Sequence, residues 1–160
     1  MNQDVFQHLH LPPELAIEFM AVFSRFEHAL KSTNYAIGNM NRVDAAWDRF
    51  ANDIDARFNK IQDAHLAQCV DFLMEKPPRK QVFDGNTTRF RNQTADPNQR
   101  KTQQLLRFVR TIRNNLFHGG KYLPNGEVEV GRNKKLVESA LYVLQICVRI
   151  DPHVLNSFEQ

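Results

Sequence analysis

A basic stretch in the second half of the chain ends in Arg113-Asn114-Asn115-Leu116-Phe117-His118, and Gly119-Gly120 follows at once. Guanidinium, amide and imidazole are the groups that phosphate chemistry can use without a metal. Arginine is always charged and grips phosphate oxygens in a bidentate fork. Histidine can take and give a proton near neutrality. An amide can fix an imidazole tautomer or hold a phosphate oxygen. Asn114 precedes His118 by four residues, which puts both on one helical face. Arg113 precedes it by five, about 140° around an ideal helix, so the two share a phosphate only with tertiary help. The same residue types also serve as simple helix caps, complementing the terminal carbonyls and the dipole.

Charge distribution favours the phosphate reading. The net charge is only +3, but residues 76–121 carry 11 Lys and Arg against 2 Asp and Glu. A concentration of that kind suits a polyanion, because each neutralised phosphate releases counterions. Arg107 and Arg110 continue the basic face of the helix that ends at His118, and Lys121 lies just beyond it. Residues 77–97 are expected to form a basic loop. In it Arg79, Lys80, Arg89 and Arg91 are interleaved with Phe83 and Phe90, a combination that can grip phosphates and stack bases. The plainer alternative is a tether whose phenylalanines tuck into the core.

The elements that must position these residues are expected to be helical. A first helix over Pro13–Tyr35 presents Leu15, Phe19, Val22, Phe23, Phe26 and Leu30 on one face, and Gly38 ends the element. A second helical region starts near Asp44 and carries Trp47, Phe50, Ile54, Phe58 and Ile61; a break near Asp63 is left open by the pattern. Pro77-Pro78 stops it. The motif helix is expected to start at Asp96, with Pro97 in the first turn and Gln99 completing a capping box. Leu105, Val109, Ile112 and Leu116 form its core stripe. A short hairpin is expected around Pro124-Asn125-Gly126 with a strand at Glu127 to Val130, then a last helix over Asn133–Ile150, ended by Asp151-Pro152. The expected fold is all-α: a single domain over residues 1–160, a bundle of four or five helices with at most one short hairpin.

No stretch of 18 apolar residues spans a membrane, and the first residues lack the regions of a signal peptide, which points to a cytoplasmic protein. Cys69 and Cys147 sit in apolar helical patterns and read as buried free thiols. Neither Asp53 with Asp55 nor His8 with His10 belongs to a larger set at ligand spacing, so no metal and no cofactor is expected. Serine- and cysteine-type catalysis have little support, with no nucleophile elbow in the chain.

The run V-R-T-I-R-N-N-L-F-H-G-G-K closely resembles the signature of HEPN domains (higher eukaryotes and prokaryotes nucleotide-binding), in which an Arg followed by a polar residue precedes a His near a helix end. The stretches V-F-S-R-F-E-H-A-L-K and W-D-R-F-A also look like segments of bacterial stand-alone members. The resemblance implies a metal-independent endoribonuclease, often a toxin or anti-phage effector. On it, Arg113 and His118 take the catalytic places and Asn114 the polar one, while Arg79, Lys80, Arg89, Arg91, Arg107, Arg110 and Lys121 are candidate RNA contacts. It further implies a homodimer with a composite cleft and an antitoxin or other regulatory protein as a possible partner. One branch of the family has a Tyr two residues after the His; that place is Gly120 here, and the nearest tyrosine is Tyr122. The same basic helix also suits a non-catalytic module that holds RNA or a nucleotide and acts through partners.

Overall fold

The computed structural model describes residues 5–120 and 126–160. Among these residues six helices lie in the order α1 (Pro13–Lys31), α2 (Trp47–Phe58), α3 (Ala64–Glu75), α4 (Lys101–Phe117), α5 (Arg132–Ile150) and α6 (Pro152–Glu159). Two antiparallel hairpins interrupt them: β1 (Ala36–Asn39) with β2 (Arg42–Ala45), and β3 (Lys80–Phe83) with β4 (Thr88–Arg91). The fold is therefore mixed, which corrects the all-α expectation.

Each hairpin has a local cause. In the first, the Asn39 side chain accepts from the Asn41 N–H at 2.9 Å, closing a tight turn. Gly38 sits at φ +146°, where a Cβ would lie 2.0 Å from the Arg42 carbonyl oxygen, so only glycine fits. Gly38 thus lies within a strand, not at a helix end, and Asp44 belongs to β2 rather than to a helix start. In the second, Asp84 accepts from the N–H groups of Asn86 and Thr87, both at 2.9 Å. Those bonds fold residues 84–87 into the turn that pairs Lys80–Phe83 with Thr88–Arg91. The segment 77–97 is thus partly ordered as a hairpin.

The helix boundaries carry further corrections. The second helical region divides at Asp63, whose side chain accepts from the Leu66 N–H at 2.8 Å and caps α3. Asp96 does not start α4. It accepts from Asn98 N–H at 2.9 Å in a separate turn, and the helix begins at Lys101 after Arg100. Residues Glu127 to Val130 form no strand, because Glu127 turns back to accept from Gly131 N–H at 2.9 Å and Asn133 N–H at 3.0 Å. Pro124 and Asn125, expected in that turn, lie outside the described residues. Asp151 ends α5 and also opens α6, accepting from His153 and Val154 N–H groups, with Pro152 in the first position.

One core joins the helices. Phe19, Phe23 and Phe26 of α1, Phe50 and Ile54 of α2, Leu73 of α3, Leu105 and Ile112 of α4 and Leu136 and Leu144 of α5 are wholly buried in it. Trp47 stacks on Phe23 at 5.2 Å and meets Phe26 edge-on at 5.4 Å. α5 packs on α1, α3 and α4, and α2 packs along α4. Thr102 fastens that last pair: its hydroxyl lies 2.7 Å from Asp55 Oδ1 and 2.8 Å from the Ala51 carbonyl. Cys69 and Cys147 are buried free thiols, and burial raises the pKa of both above the ordinary thiol value. Among the described residues, no helix is long and apolar enough to cross a membrane.

Candidate functional site

The site forms where α4 ends. Thr102, Leu105, Val109, Ile112 and Leu116 bury one side of this helix, which leaves Arg110, Asn114 and Phe117 on the solvent side. Gly119 takes φ +78°, the left-handed conformation that stops a helix, and His118 becomes the C-cap. Its backbone N–H still donates to the Asn114 carbonyl at 2.9 Å. The imidazole is exposed and stands edge-on to Phe117 at 5.2 Å. Phe117 is itself 67% exposed, an aromatic face offered to solvent beside the imidazole. Asn114 lies exposed between Arg113 and His118. With 100° per residue, Arg113, Phe117, Asn114 and His118 occupy a continuous arc of about 140°.

Arg113 is held on the α1 side of that arc. Its guanidinium lies over the Phe23 ring at 4.8 Å and 3.9 Å from Glu27 Oε2, with about a quarter of the side chain exposed. Arg110 lies over Trp47 at 5.9 Å. The stacked Phe23–Trp47 pair therefore supports two neighbouring guanidiniums through the negative faces of its rings. Arg107, one turn earlier, lies over Phe108 at 5.3 Å, and its Nε is buried with no hydrogen-bond partner among the described residues.

The second hairpin approaches the helix end from the other side. Gly120 is buried, and a Cβ there would lie 3.0 Å from the Asn115 carbonyl and 3.2 Å from Phe90 Cζ. Phe90 thus reaches the end of α4. The pleat then puts Lys80, Arg89 and Arg91 on the opposite face of the hairpin, where Lys80 stands directly across from Arg91. Like charges in that register disfavour pairing, so the hairpin keeps them at a cost in stability. Arg89 is paired with Asp84. Arg79, just before β3, donates through Nε to Asn92 at 3.1 Å and pairs with Glu129 at 3.2 Å. The structure therefore sets Arg110, Arg113, Asn114 and His118 along one side of α4, Lys80, Arg89 and Arg91 on the hairpin face opposite Phe90, and Arg79 against Asn115 through its backbone. Lys121 lies outside the described residues.

Several residues of this region were not singled out by sequence. Asn115 is buried and donates to the Arg79 carbonyl at 2.7 Å, fastening the hairpin to α4. Its signal was its position three residues after Ile112, inside the apolar stripe. Glu27, Arg132 and Glu129 carried no local signal, since each matters through a contact distant in sequence. Asp53 and Asp55, weighed as metal ligands, accept instead from Tyr35 and Thr102. Comparison with protein-family models, curated proteins and solved structures finds no match for the chain.

Proposed function

We propose that the chain is a metal-independent endoribonuclease of the HEPN kind, working in the cytoplasm on single-stranded RNA. The observation that carries this reading is the solvent arc at the end of α4. There an exposed imidazole, an exposed amide, an exposed aromatic ring and a guanidinium supported on Phe23 fall within one arc of about 140° on the helix. The RNA 2′-hydroxyl attacks the adjacent phosphorus, the 2′-oxygen–phosphorus bond forms, and the bond to the 5′-oxygen breaks. His118 takes the 2′-hydroxyl proton or delivers one to the leaving 5′-oxygen, and Arg113 stabilises the charge that grows on the phosphate oxygens. Asn114 orients the imidazole or an oxygen. Both proton transfers are covered when two copies of the chain face each other, each giving one His118 to a shared cleft. Phe117 offers a stacking platform for a base. A role as a toxin or defence effector, checked by a partner protein, fits an activity of this kind.

A second reading has its own support. Arg113 is engaged with Glu27 and Phe23 before any RNA arrives, and Lys80, Arg89 and Arg91 share the hairpin face opposite Phe90. Both suit a module that holds RNA without cutting it. Matched RNA and DNA strands, incubated with the protein in excess chelator, separate the two. Cleavage of RNA alone, leaving 2′,3′-cyclic phosphate and 5′-hydroxyl ends, supports the ribonuclease. Binding to RNA without cleavage supports the module.

A further inference from the structure

Beside the arc lies a second arrangement built for an oxyanion. Arg79, Asn115, Gly120, Glu129, Arg132 and Phe90 line a cavity of about 140 Å³, room for roughly four or five waters at their liquid volume. Two guanidiniums meet in it. Arg132 is 14% exposed and anchored by the Pro77 carbonyl at 2.8 Å and the Lys76 carbonyl at 3.3 Å. Arg79 is anchored through Nε by Asn92. Each turns a remaining N–H edge to one carboxylate: Glu129 Oε1 lies 3.2 Å from Arg79 and Oε2 lies 3.4 Å from Arg132. A carboxylate gripped by two separately anchored arginines occupies the geometry in which such forks hold phosphate.

The segment carrying Glu129 has the reverse of the usual orientation. In Glu127-Val128-Glu129-Val130 the glutamates turn to the protein, while Val128 is 88% and Val130 94% exposed. Hydrophobic burial does not hold this segment in place. Its carboxylates do, Glu127 on the start of α5 and Glu129 on the two arginines. Glu129 is also nearly half exposed, so a competing anion can approach it from solvent.

We propose that Arg79 and Arg132 form a phosphate-binding subsite that Glu129 occupies in the free protein and that a phosphate group displaces. Asn115 joins this subsite to the catalytic helix, because its side chain holds the Arg79 backbone while its own backbone lies against Gly120. For the ribonuclease reading, on which this role rests, the subsite takes an RNA phosphate next to the one that is cut. Displacement frees the Glu127–Val130 segment from the arginines.

The test is a titration of inorganic phosphate at low salt into the full chain, followed by the arginine Nε–H signals of the labelled protein. Glu129→Gln removes the competing charge and is expected to tighten phosphate binding at least tenfold, with the signals of Arg79 and Arg132 moving. Glu138→Gln, which removes an exposed charge elsewhere on α5, is expected to leave affinity unchanged. Equal affinity for Glu129→Gln and wild type, or an equal gain for Glu138→Gln, overturns the proposal. Should Glu129→Gln fail to fold, Arg79→Gln decides: a loss of at least tenfold supports the subsite and unchanged binding overturns it. A protein with the Glu129-sensitive site but no RNA cleavage loses the ribonuclease reading and keeps the subsite; cleavage without that sensitivity does the reverse.

Discussion

If the α4 arc binds RNA as proposed, Glu27 competes with it for Arg113, and the strength of that competition follows from the geometry. At 3.9 Å the pair attracts with about 4 kcal/mol at an effective dielectric of ~20. Most of this is offset. The side chains are each about a quarter exposed, the separation is at the outer limit of an ion pair, and Lys31 also lies 3.7 Å from Glu27. The net value falls to about 0.5–1 kcal/mol. Glu27→Gln should therefore strengthen binding of a short single-stranded RNA about two- to fivefold, while costing less than about 1 kcal/mol of stability. Fluorescence anisotropy at fixed salt reads the affinity, and thermal denaturation reads the stability. The same substitution is then made with Arg113→Ala. If Glu27→Gln still tightens binding by the same factor without Arg113, the gain is a general charge effect and the competition argument fails.

Other consequences follow from the same structure. Thr102→Val keeps the shape of a wholly buried residue but removes the hydroxyl between Asp55 and Ala51. It should cost about 2 kcal/mol, a fall of about 4–8 °C in Tm for a chain of this size; an unchanged Tm would show that α2 and α4 do not depend on this contact. The N–H of Leu66 and the Tyr142 hydroxyl hold the Asp63 carboxyl below its ordinary pKa, with burial opposing them. A lowered folded pKa means stability that is fully present above the ordinary carboxylate value of about 3.9 and lost as pH falls through and below it. The Tm difference between wild type and Asp63→Asn should therefore be largest near neutrality and shrink below about pH 4. A difference that stays constant with pH contradicts this.

The helical part of the fold was legible because its signals are periodic. The stripes Phe19–Phe23–Phe26–Leu30 and Trp47–Phe50–Ile54–Phe58 are buried as their spacing demands. The hairpins were less legible, since Thr88–Arg91 alternates charge with aromatic or hydroxyl groups and buries no face in the way an amphipathic strand does. The capping box at Asp96 misled for a physical reason. An aspartate before proline closes an isolated turn as readily as a helix, and Gln104 takes the Asp96 N–H at 2.6 Å, tying that turn to the helix side. Asp151-Pro152 held the complementary ambiguity, ending one helix and starting the next. At the site, the neighbours Arg113, Asn114 and His118 were readable because one helix end places them. What each faces was not readable, because Glu27, Phe23 and Glu129 arrive from distant parts of the chain. The basic segment read as one surface is divided by the pleat of β3 and β4.

The measurement closest to the central claim compares wild type, His118→Ala and Arg113→Ala on end-labelled RNA in excess chelator. His118 is exposed and caps α4 through its backbone, and Arg113 makes only a long ion pair and a ring contact, so both variants should fold. The account predicts cleavage by wild type with cyclic phosphate ends. Loss of the general acid–base group should lower the rate at least 100-fold, and loss of the guanidinium by a comparable factor. Equal trace cleavage by all three proteins would contradict it and leave the α4 arc as a binding surface.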